Sequence, residues 1–338
     1  MEVHALAWAG LIVVVIGLIT VDFVGHARNP HPPSIREAAT WTVGYMALAA
    51  LFGLGLLVFG GGEAALSFYS GWALEWSLSL DNLFVFIIIL TTFRVPRDFQ
   101  QKALLLGIVI ALVMRFLFIL AGIAIINRFS AVFYLFGAFL IYTAIKQVIE
   151  ARGDEDDAAE EAEEFVDNRM TRLVRRLMPT TDGFVGNKLI HRHAGRTFIT
   201  PLLIVVVALG SADVMFALDS IPAIFGITQD PFLVFSATAF SLLGLRQLFF
   251  LIDGLLDRMA YLSYGLAVIL GFIGFKLINH ALHENELGFI NGGRPVEAIP
   301  EPSTVVSLAV IVVSLLTVAL VSVVQARRQS RVESRPAE

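Results

Sequence analysis

The chain has 338 residues, of which 57% are hydrophobic and 16% charged, with a formal net charge of −5. Soluble domains run nearer roughly 45–50% apolar, and the excess here falls in long runs, each close to the ~20 residues that cross a bilayer as helix. Cysteine is absent, which excludes disulfides and thiolate metal sites within this chain.

Taken in chain order, nine spans are predicted, starting near Ala5, Trp41, Ser67, Ala103, Val132, Phe198, Phe232, Tyr261 and Thr304. Lipid offers the backbone no hydrogen-bond partners, so runs of this length must be helical. The first run follows Met-Glu-Val-His with no basic leader and reads as a retained helix, not a signal peptide. The expected fold class is all-α, a polytopic membrane helix bundle. Residues 1–60 hold two N-terminal spans, 63–149 a first three-helix unit and 198–279 a second. A polar loop, 150–197, separates the units; it is acidic from Asp154 to Glu164 and basic at Arg169, Arg172, Arg175 and Arg176. A loop over 280–303 and a last span with its tail, 304–338, complete the chain.

Lys and Arg orient these spans. Arg28, Arg36, Arg94, Arg97, Lys102, Arg258, the 150–197 loop and the tail residues Arg327, Arg328, Arg331 and Arg335 fall on one side. Only Arg128 and Arg294 fall in connectors on the other. The positive-inside rule then predicts an external N-terminus and a cytoplasmic C-terminus.

The two three-helix units resemble each other. The third span contains Glu75-Trp-Ser-Leu-Ser-Leu-Asp81-Asn82, and the sixth contains Asp213-Val-Met-Phe-Ala-Leu-Asp219-Ser220. Downstream, Arg115 and Lys146 follow in the first unit, Arg246 and Lys276 in the second. Three helices per unit is an odd number, so the second copy enters from the opposite side. Such inverted repeats build many secondary transporters.

Carboxylates at membrane depth are costly. One reading pairs Glu75, Asp81, Asp213 and Asp219 with Arg115, Arg246, Lys146 and Lys276 as structural salt bridges. The other makes Glu75, Asp81, Asn82, Asp213, Asp219 and Ser220 a cation path, with Arg115 and Arg246 as counterions when the cation leaves. Lys146 and Lys276 are then expected to snorkel to opposite interfaces. Positions 75 and 81 are six residues apart, about 9 Å of rise and roughly 240° of turn in an ideal helix. The acids therefore mark two successive levels, or their helix is broken. Pro222, which removes the hydrogen bond to Leu218, favours a break in the second copy, with a plain kink as the alternative. Oxygen ligands suit Mg²⁺, Ca²⁺ and Mn²⁺. Met215 as a ligand would tilt the choice to Mn²⁺; packing is its ordinary role. His191-Arg192-His193 reads as surface decoration, and the acidic run as a solvated stretch or a cation-gathering mouth. His280, His283, Glu284 and Glu286 are a further candidate metal group. No nucleophile–base set or phosphate loop stands out, so an enzyme is not expected.

At these residues the chain resembles the TerC family of membrane proteins. Glu75-Trp-Ser-Leu-Ser-Leu-Asp-Asn-Leu-Phe-Val-Phe is similar to its first signature and Phe216-Ala-Leu-Asp-Ser-Ile-Pro-Ala-Ile-Phe-Gly-Ile-Thr to its second. Val113-Met-Arg115, Leu243-Gly-Leu-Arg246 and the Gly-Phe-Lys ending at Lys276 fit as well, so the resemblance covers residues 35–280. It implies a multi-pass protein of the LysE-type exporter group, in a bacterial inner membrane. It also implies no bound cofactor, no nucleic-acid partner and Mn²⁺ as the exported ion. Two alternatives come with it: a membrane scaffold for assembly or metal loading of other proteins, including secretion-machinery partners, and a tellurite-type oxyanion transporter. The family pattern carries Ser-Asn shortly before Gly-Leu-Arg, whereas Ala237-Thr238 stand here. That departure bears on ion affinity or choice.

Overall fold

The computed structural model describes residues 5–24, 34–129, 131–151, 169–193, 195–252, 261–285, 287–296 and 299–333. Among these, nine helices are long and apolar enough to cross a membrane. They are α1 (Ala5–Asp22), α2 (Ile35–Phe59), α3 (Gly61–Thr92), α4 (Arg97–Ile126), α5 (Val132–Glu150), α7 (Pro201–Phe225), α8 (Pro231–Ile252), α9 (Leu262–His283) and α10 (Thr304–Glu333). A short helix, α6 (Arg169–Leu177), lies between α5 and α7 in the chain. Arg28, Arg258, Arg335, Glu286 and the acidic run 154–164 fall outside the described residues.

Several helices start before their apolar runs do. The second begins at Ile35 rather than Trp41, the third at Gly61 rather than Ser67, the fourth at Arg97 rather than Ala103. Polar first turns extend them. Ser34 Oγ accepts the Glu37 N–H at 3.2 Å, and Glu37, Glu63 and Asp98 occupy first turns, where the helix dipole favours negative charge. Asp230 Oδ1 likewise accepts the Phe232 N–H at 2.9 Å to cap α8. Only Gly60 separates α2 from α3, and Gly61 (φ +87) takes the left-handed backbone that reverses the chain there.

The 150–197 stretch is not all loop. Besides α6 it holds most of an antiparallel hairpin, β1 (Ile190–His193) and β2 (Arg196–Ile199), turning at Gly195 with φ +75; β2 takes up Phe198, so the sixth span starts at Pro201 instead. Four-residue strands with mostly polar side chains carry no apolar run, so span counting misses them.

The core is built around α8, buried along its whole spanning stretch. It packs against α3, α2, α4 and α1. Helix α4 packs on α7, α3 on α7, and α5 on α9, while α10 covers α9 and α3. The α5–α9 pair is antiparallel. Tyr134 Oη donates to Asn285 Oδ1 (3.3 Å) at one end and Tyr264 Oη to the Ala151 carbonyl (3.3 Å) at the other. Helices α4 and α7 start at one common end, where Phe99 meets Phe184 and Lys102 Nζ donates to the Asn187 carbonyl at 2.6 Å. Because α3 finishes beside the start of α4, α3 and α7 run in opposite directions.

Candidate functional site

Arg115 sits in the middle of α4, flanked by Val-Met and Phe-Leu-Phe, with 1% of its side chain exposed. A guanidinium at that depth needs partners, and it has them on two other helices. Nη1 donates to Glu75 Oε2 of α3 at 2.5 Å and to Ser220 Oγ of α7 at 3.0 Å. Nε and Nη2 donate to Asp213 Oδ2 (3.0 Å) and Oδ1 (3.2 Å) of α7, a side-on bidentate pair. One arginine thus joins a carboxylate from each acidic helix. With both carboxylates ionised the cluster carries one net negative charge, which a proton or a second cation would neutralise. Glu75 Oε1 is buried and has no hydrogen-bond partner among the described residues. Thr238 stands beside Glu75 and is itself buried.

The other two acids do not share one level: α3 and α7 run in opposite directions, so the six-residue steps from Glu75 to Asp81 and from Asp213 to Asp219 go opposite ways along the bundle. Gln147 Nε2 of α5 donates to half-buried Asp81 at 2.8 Å. Asn82, next along α3, is buried. Asp219 of α7 lies within electrostatic reach of Lys146 of α5. Helix α3 is continuous from Glu75 through Asp81, and α7 continues through Pro222, which falls in its last turn. The acids are therefore spaced along unbroken helices, and no broken segment exposes carbonyls between them. Met215 is 53% exposed while Asp213 is buried, so its thioether faces away from Arg115.

The second arginine is placed differently. Arg246 of α8 pairs with Asp22 at the end of α1, beside Tyr45 of α2, and all three are buried. Its Nε and Nη1 have no hydrogen-bond partner among the described residues. Asp22 did not stand out in the sequence: it is a lone acid ending an apolar run, and its partner lies 224 positions away. Gln147 is missed for a similar reason, since a neutral amide near a span end carries no charge signal. Lys276, expected at an interface, donates to Ser307 Oγ of α10 at 3.2 Å.

The weaker candidates separate as well. His191 and His193 stack on β1 with ring centroids 6.0 Å apart. His280 is within 2.9 Å of Glu301 and 3.6 Å of Glu284. Among the described residues no three His, Asp or Glu side chains stand together as a metal site. Of the six oxygen-bearing residues expected along a cation path, Glu75, Asp213 and Ser220 meet at Arg115, while Asp81 pairs with Gln147 and Asp219 lies within reach of Lys146; Arg115 occupies the space between Glu75 and Asp213.

A model of the TerC family of integral membrane proteins matches residues 60–330, which include both acidic helices and both buried arginines. The chain belongs to the TerC family. It is 47% identical over 331 residues to membrane proteins of Mycobacterium bovis and Mycobacterium tuberculosis named as uncharacterized, covering 98% of this chain and 82% of theirs. It is also 36% identical over 282 residues to a protein of Escherichia coli named putative membrane-bound redox modulator Alx, covering 81% of this chain and 85% of that one. No solved structure matches. The family match leaves out α1 and all of α2, so it omits Asp22 and Tyr45; the mycobacterial similarity spans nearly the whole chain.

Proposed function

We propose that this TerC-family membrane protein exports divalent cations, Mn²⁺ first, by alternating access between two inverted three-helix repeats. The observation that carries this reading is Arg115 holding Glu75 and Asp213 together at the centre of the bundle. A guanidinium that bridges carboxylates of α3 and α7 marks a place where one cation can be held by both helices. An incoming Mn²⁺ would displace the guanidinium and take oxygens from Glu75, Asp213 and Ser220. Asp81, Asn82 and Asp219 would supply the further oxygens of the path. The packing supports the inverted repeat: exchanging α3, α4 and α5 with α7, α8 and α9 leaves the pairs α3–α8, α4–α7 and α5–α9 unchanged as a set. The opposite directions of α3 and α7 agree with it. We place the N-terminus outside and the C-terminus in the cytoplasm of a bacterial inner membrane, from the distribution of Lys and Arg. We assign no catalytic residues and no nucleic-acid partner.

The relative's name, redox modulator, suits a metal exporter better than a thiol enzyme in this case, because the chain has no cysteine. An oxyanion substrate is disfavoured by the two carboxylates that meet Arg115. A scaffold role has one supporting observation, the folded α6 and hairpin between the repeats. Replacing residues 169–177 by a Gly-Ser linker of equal length should abolish a scaffold activity that uses α6 and leave most transport.

The direct test is cellular manganese in a strain lacking its own exporter, measured by mass spectrometry after Mn²⁺ challenge. Wild type should lower it, whereas Glu75→Gln with Asp213→Asn, and Asp81→Asn with Asp219→Asn, should not at equal membrane expression. Equal manganese with wild type, both variants and empty vector would reject manganese export.

A further inference from the structure

We propose that α6 is an interfacial helix that binds the anionic phospholipid surface of the membrane in which the bundle sits. The proposal is independent of the transport reading. It starts from sequence: Arg-Met-Thr-Arg-Leu-Val-Arg-Arg-Leu has no acidic residue. At about 100° per residue, Met170, Leu173 and Val174 fall within an arc of roughly 100°, and Arg172, Arg175 and Arg176 within another. Thr171, between the two arcs, is buried. The helix thus turns a third side to the protein, where it packs on α7. Its apolar arc is not used for that packing: Met170 is 56% exposed and Leu173 50%. The three arginines are exposed too.

Height decides what covers these faces. The chain leaving α6 is tied to the residues that enter α7: the Ile199 N–H donates to the Pro179 carbonyl (3.0 Å) and the Thr181 N–H to the Ile199 carbonyl (2.9 Å). Ile199 immediately precedes Thr200 and Pro201, the first residue of that span. Phe184 and Asn187 bind the start of α4. Helix α6 is therefore held at the level where two spans leave the bilayer. Apolar side chains there meet acyl chains, and arginines there meet phosphates; basic amphipathic helices bind anionic surfaces this way. Charge complementarity selects anionic over zwitterionic lipid.

The absence of native cysteine allows a labelling scan of the full chain in lipid nanodiscs. Single Cys variants at 170, 172, 173, 174, 175 and 176 receive an environment-sensitive fluorophore. The expected result is periodic: labels at 170, 173 and 174 are quenched by spin-labelled acyl chains and shielded from iodide, while labels at 172, 175 and 176 are not. Phosphatidylglycerol should increase that shielding over pure phosphatidylcholine. Arg172→Gln with Arg175→Gln and Arg176→Gln should abolish the increase and cut phosphatidylglycerol co-purification, by up to about 5-fold per arginine at low salt. The periodic pattern is a readout that a merely misfolded variant would not retain. Uniform iodide access at all six positions would overturn the proposal. So would shielding that needs native-membrane discs and is missing in pure lipid, which would assign the face to a protein partner. A phosphatidylglycerol effect that survives removal of the arginines would overturn it as well.

Discussion

Arg115 is the residue on which the acidic helices converge, and its removal should be severe. Arg115→Met leaves Glu75 and Asp213 buried without their cation, a change that costs about 3–5 kcal/mol when a buried pair is broken. Thermal unfolding in detergent should show a large fall. Adding Glu75→Gln and Asp213→Asn to Arg115→Met should recover part of it, because no buried charge then stands alone. If the triple variant is no more stable than Arg115→Met, the loss is packing and not charge. Asp22→Asn makes the parallel test at Arg246. It should destabilise the bundle by a similar amount, with the first effect in α1, which has little other packing. Faster proteolysis near the N-terminus, with the remaining bundle intact, would be the expected observation. Thr238 stands beside Glu75, so Thr238→Asn, which puts an amide oxygen there, should shift the ranking of metals in the challenge assay without unfolding the protein.

At the scale of the helices, the α5–α9 crossing rests on two glycines. A Cβ at Gly274 would lie 2.8 Å from the Gly137 carbonyl oxygen, and one at Gly137 would lie 2.7 Å from that of Gly274. Both obstacles are backbone, so neither can rotate away. Gly274→Val should therefore force the helices apart and cost about 1–3 kcal/mol as overpacking does. Gly271 offers the control, since a Cβ there meets only the Ala144 Cβ at 3.8 Å. Gly271→Ala should keep wild-type melting, and equal losses at both sites would contradict the crossing. This close contact matters for the site because α5 also supplies Gln147 and Lys146 to Asp81 and Asp219. A displaced α5 should change the surroundings of Asp81 and Asp219 while leaving Glu75–Arg115–Asp213 in place.

For the molecule as a whole, the antiparallel ends give a topology that labelling can check. Single cysteines at Thr180 and Gly288 should lie on opposite sides of the membrane. With the orientation proposed above, Gly288→Cys reacts with an impermeant maleimide in intact cells and Thr180→Cys only after permeabilisation. Reaction at both sites in intact cells would contradict the span count, and the reverse pattern would invert the orientation.

The sequence by itself determined the membrane class, the positions of the spans and the acidic pairs, because each rests on local chemistry. Apolar runs near the thickness of a bilayer must be helices, and carboxylates inside them are visible one residue at a time. The short helix and hairpin between the units escaped that reading, since neither contains an apolar run. Only the tertiary structure decided the pairing. From the sequence Arg115 and Arg246 looked equivalent, both buried and both following an acidic helix. In the fold one bridges Glu75 and Asp213 and the other turns to Asp22, because α1 and α2 lie against α8. Which buried charge meets which depends on helices distant in the chain being brought together, and no local pattern encodes that.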